Sequence, residues 1–135
     1  MLEPYRADQF IFAALNAPPA VADGRIYQGV APEGAALPFV VFQMLAGTDL
    51  AQLGAFRVWA NLLYLIKATG QGSSFAALAP LADAIDARLH RASGTTADGR
   101  VLTCVREEAH TMVEVTDGRQ WRHAGGVFRL LVQAP

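Results

Sequence analysis

The feature that most limits the fold is an apolar run that begins directly after a proline. Residues 38–45 read PFVVFQML, with four apolar side chains in succession behind Pro38. Proline fixes its own φ angle and has no N–H to donate, so it suits the first residue of a strand better than the interior. We therefore predict that 38–45 is a strand with both faces buried.

Two segments have the apolar spacing of helices. Residues 4–15 repeat apolar side chains at helical intervals, and the prolines of NAPPA end the pattern. The segment SFAALAPLADAIDARLHRA at 74–92 is the clearer helix. Pro80 lies too deep in this segment for a first turn, so we expect a kink or a restart of the helix there.

The other apolar segments predict strands. They are RIYQGV at 25–30, a long central strand at 56–68, VLTCVRE at 101–107, and a hairpin made of TMVEV at 111–115 and WRHAGGVFRLLVQ at 121–133. We expect SGTTADGR at 93–100 to be a loop and the second hairpin arm to carry a bulge at Gly125–Gly126. This order predicts an α+β fold, a small, mostly antiparallel sheet of about 4–6 strands with two main helices packed on one face.

Length and composition indicate one soluble domain over residues 1–135. The chain is 53% apolar and 17% charged, which excludes extensive disorder. Its net charge of −1 gives no strong attraction to nucleic acid or to an anionic membrane. The apolar stretches are interrupted well before the ~20 residues that a transmembrane helix needs, and the N-terminus lacks the apolar core of a signal peptide. We therefore expect a soluble protein of the cytoplasm.

No residue pattern of an enzyme or of a metal site stands out. The histidines form no close ligand pair, and a single cysteine provides neither a disulfide nor a cysteine-based metal site within one chain. The glycines form no phosphate-binding pattern, and the carboxylates of REE and Glu114 would need a pocket for acid–base catalysis. We predict no catalytic residue, no cofactor and no metal. His90, His110 and His123 are expected at the surface or at an interface, and Cys104 in the core.

The segment GRQWRHAGG is the richest cluster of basic and aromatic residues. It contains Arg119, Trp121 and Arg122, followed by His123. Such a group can stack on single-stranded nucleic acid, but Trp and Arg are also enriched at protein–protein hot spots. With a net charge of −1, we favour a protein partner and predict that the first three of these residues lie in an interface.

Several segments follow one another in an order shared with a known family. They are RIYQGVAPEGAALPFVVFQ, WANLLYLIKATG, LAPLADAIDARLH, VLTCVRE and TDGRQWRHAGGVFRLLVQ. This layout resembles the tail terminator (tail completion) proteins of long-tailed bacteriophages and gene transfer agents, over about residues 5–133. The position of Pro80 inside the second helix departs from the family pattern.

The resemblance implies a structural, non-enzymatic protein of the virion. Family members form a hexameric ring at the head-proximal end of the tail, where the ring stops polymerisation of the tail tube and joins the tail to the head connector. The implied partners are further copies of the chain, the major tail tube protein and the head-side connector protein. Genome DNA would pass through the channel without sequence-specific binding. The ring would be assembled in the bacterial cytoplasm and located at the head–tail junction, with no membrane partner.

The segment MLAGTDLAQLGAFR at 44–57 is the predicted contact to a neighbouring subunit or to the tail tube. The connection that it contains is too long for a simple turn, and loops of that length usually carry function. We predict Leu50 and Leu53 as apolar contacts, and Asp49 and Arg57 as polar contacts. The alternative is that the segment folds back on its own sheet.

Three other functions remain open at this stage. The chain could be another neck component of the virion, such as a head-side stopper, which would share its size and its ring formation. It could be a small α+β enzyme or ligand-binding domain, although the sequence shows no convergent polar set for a pocket. Least favoured is a nucleic-acid-binding module that uses RQWRH.

Overall fold

The computed structural model describes residues 3–51, 57–96 and 99–133. Its helices are α1 (Glu3–Asn16) and α2 (Ala79–Leu89), and its strands are β1 (Ile26–Gln28), β2 (Phe39–Ala51), β3 (Arg57–Gln71), β4 (Ala92–Thr96), β5 (Gly99–Thr116) and β6 (Arg119–Gln133). The strands form one sheet in the order β1-β2-β3-β6-β5-β4. Only the short β1 is parallel to its neighbour β2. The predicted α+β fold with a mostly antiparallel sheet is therefore confirmed.

The core lies between the two helices and one face of the sheet. Alternate residues of β3 point into it, and Tyr64 and Ile66 are fully buried. This alternation follows from the two-residue repeat of a strand. The fully buried side chains of the helices are Ala7, Ile11 and Leu15 from α1, and Ile85 and Leu89 from α2.

The prediction that 38–45 is a strand with both faces buried is confirmed for the start of β2 but is wrong for Met44 and Leu45, which are exposed. β2 begins at Phe39, directly after Pro38. Val40 and Phe42 point into the core, whereas Val41 is buried on the opposite face. β3 lies between β2 and β6, so the segment predicted as the central strand does occupy the middle of the sheet.

Two predictions for the second half of the chain are wrong. Residues 93–100 were expected to form a loop, but β4 covers Ala92–Thr96 and pairs with β5 as an edge strand. The segments 101–107 and 111–115 were expected to be separate strands, but they belong to the single strand β5. β5 pairs with β6 along its length, and this pairing keeps the polar middle of β5 extended. Local strand propensity does not predict it, because β6 is the neighbouring strand that stabilises it.

The predicted bulge at Gly125–Gly126 is also wrong. The pairing of β6 with β3 passes through both glycines without a shift, and the irregularity lies on β5, between Arg106 and Glu108. A Cβ atom on Gly125 would stand 2.1 Å from the carbonyl oxygen of Ile66, and one on Gly126 would stand 2.9 Å from that of Glu108. The glycines are therefore needed because the backbones approach closely.

The start of α2 explains the unusual position of Pro80. The helix begins at Ala79, so the proline lies in its first turn, where a missing N–H costs nothing. The predicted helix over 74–92 is thus too long at both ends, and neither the expected kink nor a restart occurs, because residues 76–78 form only a turn and the helix begins at Ala79. In the described part of the chain, neither helix is long and apolar enough to cross a membrane.

Candidate functional site

The face of the sheet opposite the helices, here called the open face, carries a shallow groove. Its volume is about 380 Å³, and its floor includes the buried residues Thr69 and His123. Apolar side chains form the walls near β2, and polar ones lie on β3, β5 and β6. The lining residues include Val30, Phe39, Val41, Gln43, Lys67, Glu114, Thr116 and Trp121.

A chain of hydrogen bonds crosses the floor of this groove. The distance from Thr69 Oγ1 to His123 Nδ1 is 3.1 Å, and that from His123 Nε2 to Glu114 Oε1 is 2.6 Å. Both contacts are satisfied when the imidazole is neutral, donates from Nε2 to the carboxylate and accepts from the threonine hydroxyl at Nδ1. The three residues stand on β3, β6 and β5, so the chain links three neighbouring strands.

This hydroxyl–imidazole–carboxylate chain does not have the geometry of a nucleophilic site. In a Ser-His-Asp triad the hydroxyl bonds Nε2 and the acid bonds Nδ1, which is the reverse of the arrangement here. Thr69 is also only 3% exposed, so its hydroxyl lies beyond the reach of a substrate. We therefore assign the chain a role in holding the sheet together.

Two basic groups on the open face, Lys67 in the groove and His110 on β5, have pKa values below their usual range. Burial lowers the pKa of Lys67, and the nearby carboxylate of Glu114 offsets only part of this effect. Burial also lowers the pKa of His110, and the electrostatic interactions with Lys67 and His123 act in the same direction. A groove with apolar walls, one lysine and one carboxylate suits a protein surface better than a phosphate backbone.

The structure places the predicted contacts of segment 44–57 near the tip of the β2–β3 hairpin. Asp49 is exposed on β2. Leu50 pairs with Trp59, and Arg57 pairs with Ala51 through the backbone. Leu53 lies outside the described residues.

The segment between β2 and β3 is more regular than predicted. Instead of a long connection over 46–56, β2 continues as a strand to Ala51, and β3 begins at Arg57. The expectation of a long loop is therefore wrong for its described part. Pairing with β3 continues to Ala51 across shifts after Met44 and Leu50. Asp49, Leu50 and Arg57 thus belong to the strands of a β-ribbon, which is a more rigid support than a loop.

The second predicted cluster lies at the start of β6, beside the β5–β6 turn. Arg119 is exposed, and Trp121 is half-buried in the wall of the groove. Arg122 contacts its own chain, since it donates from Nε to the carbonyl oxygen of Gly72 at 2.9 Å and lies 4.9 Å above the ring of Phe75. This arginine therefore holds the loop before α2 in place.

The two predicted clusters stand at opposite ends of the sheet. Asp49 is level with Ala60 of β3, which pairs with Val132 near the end of β6. Trp121, by contrast, pairs with Gln71 at the end of β3. The two clusters are therefore separated by nearly the full length of β6.

The structure also shows two free strand edges that the sequence did not predict. β1 covers β2 only as far as Phe42, and β4 covers β5 only from Gly99 to Cys104. Within the described residues, the outer edges of 43–51 and 105–116 pair with no further strand, although the amide of Arg106 donates to Nδ1 of His90 at 3.1 Å. Six of the large exposed apolar side chains lie in these two stretches: Met44, Leu45, Val105, Met112, Val113 and Val115. The sequence did contain a signal for the free edge of β2, since the segment RIYQGV is too short to pair along the whole of that strand.

The remaining candidates for chemistry have no catalytic setting. Cys104 is fully buried, and burial raises the pKa of its thiol to about 12. Across residues 3–51, 57–96 and 99–133, no group of three or more His, Cys, Asp and Glu side chains could hold a metal ion.

Comparisons with known proteins agree with this architecture. The family model described as Tail completion protein gp17 matches residues 9–133. Among solved structures, the fold is similar to a chain of a structure described as the virion of a native gene transfer agent (GTA) particle. The TM-score is 0.72 at 20% sequence identity, and the match covers 92% of each chain. A comparison with curated proteins gave no match.

Proposed function

The chain belongs to the family of Tail completion protein gp17, and from this premise we propose that it ends the tail tube as a ring. It is a structural protein of the virion tail. In the proposed role, six copies close into a ring at the head-proximal end of the tube, stop its polymerisation and bind the head-side connector. We propose that residues 1–135 act as one domain in this ring and that they catalyse no reaction.

The observation that carries this proposal is the separation of the two predicted clusters. A terminator has to bind two different partners, the tube on one side and the connector on the other. The hairpin tip with Asp49 and the β5–β6 turn with Arg119 lie at opposite ends of the same strands. A subunit with its strands inclined along the ring axis therefore presents one cluster to each partner.

We assign the β2–β3 tip to the tail tube and the β5–β6 turn to the connector. The first contact would use Asp49, Leu50, Leu53 and Arg57, and the second would use Arg119, Trp121 and Arg122. The positive charges of the open face stand beside carboxylates, since Arg129 pairs with Glu107 and Lys67 lies near Glu114, which suits a channel that lets genome DNA pass without binding its sequence.

To test the proposed function, purified protein is added to growing tail tubes of the same virus, and the tube lengths are measured by electron microscopy. We expect growth to stop and a ring to appear at one end of each tube. Tubes that continue to grow while the protein binds isolated heads would instead identify a head-side neck component. Binding to neither tubes nor heads would contradict any role at the head–tail junction.

Two variants separate the two ends of the subunit. Asp49→Ala combined with Arg57→Ala should leave tubes uncapped. Arg119→Glu should still cap tubes but should reduce their joining to heads. Each variant is the control for the other, since both replace exposed or terminal positions of the same sheet. If both variants cap and join as the wild type does, the assignment of the two ends is wrong.

A further inference from the structure

We propose that neighbouring subunits of the ring are joined through their sheets, with the free edge of β2 in one copy paired to the free edge of β5 in the next. This inference rests on the ring of the proposed function and names the contact that builds it. The two edges are residues 43–51 of β2 and 105–116 of β5. They lie on opposite sides of one sheet, so each copy has one edge to offer each neighbour.

The composition of these edges favours pairing. Proteins usually protect a long free strand with proline, lysine or a covering segment, because its unpaired N–H and C=O groups bind other strands. Neither 43–51 nor 105–116 contains a proline or a lysine. The irregularities in both strands lie close to the ends of the free stretches, and Ala46–Leu50 and Glu108–Thr116 pair with their inner neighbours without a shift.

Strand direction selects a second copy of this chain as the occupant. The steps from β2 to β3, from β3 to β6 and from β6 to β5 are all antiparallel, so β2 and β5 run in opposite directions. A rotation about an axis along the strands preserves these directions. The β2 edge of one copy therefore meets the β5 edge of the next in the antiparallel sense, and the same contact repeats from copy to copy.

The offset between the two edges matches the tilt of a closed barrel. Gly47, the middle residue of the free part of β2, is level with Leu130 of β6. His110, near the middle of the free part of β5, is level with Gly125 of β6. The offset from residue 130 to residue 125 corresponds to about 17 Å along the strands at ~3.3 Å per residue.

This offset has to be accommodated over the width of one subunit. Four strands spaced by about 4.8 Å are roughly 19 Å wide, so a displacement of about 17 Å corresponds to a tilt of roughly 40°. Strands of closed barrels are tilted by about 35–45°. Six copies would supply about 24 strands, more than the 16–18 strands at which barrels already enclose an open channel.

Amide hydrogen exchange of assembled rings on tube ends, compared with the free chain, tests the pairing without knowledge of its register. We expect exchange in 43–51 and in 105–116 to slow by about tenfold or more on assembly, because their amides gain partners. Rings in which both segments exchange as fast as in the free chain would overturn the edge pairing and leave the terminator function standing. Failure to form rings at all would contradict the terminator function itself.

Cysteine cross-linking identifies which edges meet. Thr48→Cys and Met112→Cys place one thiol on each edge. Thr48 pairs with Asn61 and Met112 pairs with His123, and because paired residues share a face, both thiols lie on the open face. With a short bismaleimide, we expect cross-linked dimers when the two variants are mixed in one ring, and none from either variant alone. The wild type, with only the buried Cys104, is the control. Dimers from one variant alone would show two-fold pairing of like edges and overturn the proposal.

Discussion

The phenol of Tyr64 donates a hydrogen bond to a carboxylate oxygen of Asp8 at 2.7 Å, and this contact ties β3 to α1. The carbonyl oxygen of Pro4 lies 3.0 Å from the same hydroxyl. Tyr64 is fully buried, and burial, together with its contact to Asp8, raises the pKa of the phenol. Burial also raises the pKa of Asp8, although the hydrogen bond from Tyr64 opposes this shift. The pair fixes the position of the first helix on the sheet.

Tyr64→Phe should therefore lower the free energy of unfolding by about 1–2 kcal/mol, because it removes the donor and leaves the carboxylate partly buried without it. The variant should also raise the pKa of Asp8 further, since the hydrogen bond favours the charged form. Urea unfolding measures the first effect, and carboxyl chemical shifts followed by NMR measure the second. Tyr5→Phe is the matched control. Tyr5 lies on α1, the helix that carries Asp8, and is 52% exposed. Equal losses in both variants would contradict the role of the buried contact.

Gly125→Ala should be among the most damaging single substitutions in the sheet. The new Cβ atom would stand 2.1 Å from the carbonyl oxygen of Ile66 and 2.6 Å from the Cα atom of Lys67, so two central strands would have to separate. We expect a loss of about 3 kcal/mol or more in the free energy of unfolding, measured by urea denaturation.

The control for this prediction is Gly94→Ala on β4. There the nearest atom to the new Cβ is in the ring of Phe10 at 3.6 Å, which is an ordinary contact. We expect this variant to lose less than about 1 kcal/mol. If both glycines tolerate alanine equally, then β3 and β6 are not packed as closely as the structure shows.

Arg88 of α2 binds the C-terminal end of α1. Its Nη1 donates to the carbonyl oxygens of Ala14 and Leu15 at 3.2 Å each and to that of Ala17 at 2.6 Å. Its Nη2 donates to the carbonyl oxygen of Pro19. The last carbonyl groups of a helix have no partners within it, and a cation there also interacts favourably with the helix dipole.

Arg88→Met keeps most of the apolar stem but removes every one of these donors. We expect a loss of about 1.5–3 kcal/mol in the free energy of unfolding, measured by thermal or urea denaturation. Arg88→Lys should recover part of the loss, because one ammonium group can reach fewer carbonyls than the guanidinium does. Arg100→Met, at an exposed position of β5, is the control. A loss confined to Arg100→Met, or none in either variant, would contradict the prediction.

Local rules predicted the parts of the fold that depend on single residues. Pro38 marks the start of β2 because a proline lacks its N–H wherever it stands. A hairpin was expected before β6, and Asp117 and Gly118 form its turn with positive φ angles. Family resemblance rested on such segments, and the match over residues 9–133 confirms it.

The errors concern features that depend on partners distant in sequence. β4 consists of small and polar residues, and pairing with β5 makes it a strand. The glycines of β6 look like a bulge in sequence, but the backbone of β3 is the reason for them. The shortness of RIYQGV was a signal for the free edge of β2, but that of β5 could not be predicted, because β4 itself was expected to be a loop.

The pH dependence of the free energy of unfolding should reveal the environment of His110, which pairs with Gly125 of β6. Its Nε2 is buried and has no hydrogen-bond partner within the described residues. Burial lowers the pKa of His110 from about 6.5, and electrostatic interactions with Lys67 and His123 lower it further. A histidine whose folded pKa is depressed contributes stability above its unfolded pKa and loses that contribution as the pH falls through the folded value.

The free energy of unfolding should therefore decrease from about pH 6.5 downward more steeply in the wild type than in His110→Gln. Asp8 titrates with the opposite sign, since its raised pKa favours the folded state at low pH, but it is present in both proteins and cancels in the difference. Urea unfolding at a series of pH values between about 4 and 8 measures that difference. Parallel profiles for wild type and His110→Gln would show that the imidazole of His110 is free to accept its proton in the folded chain.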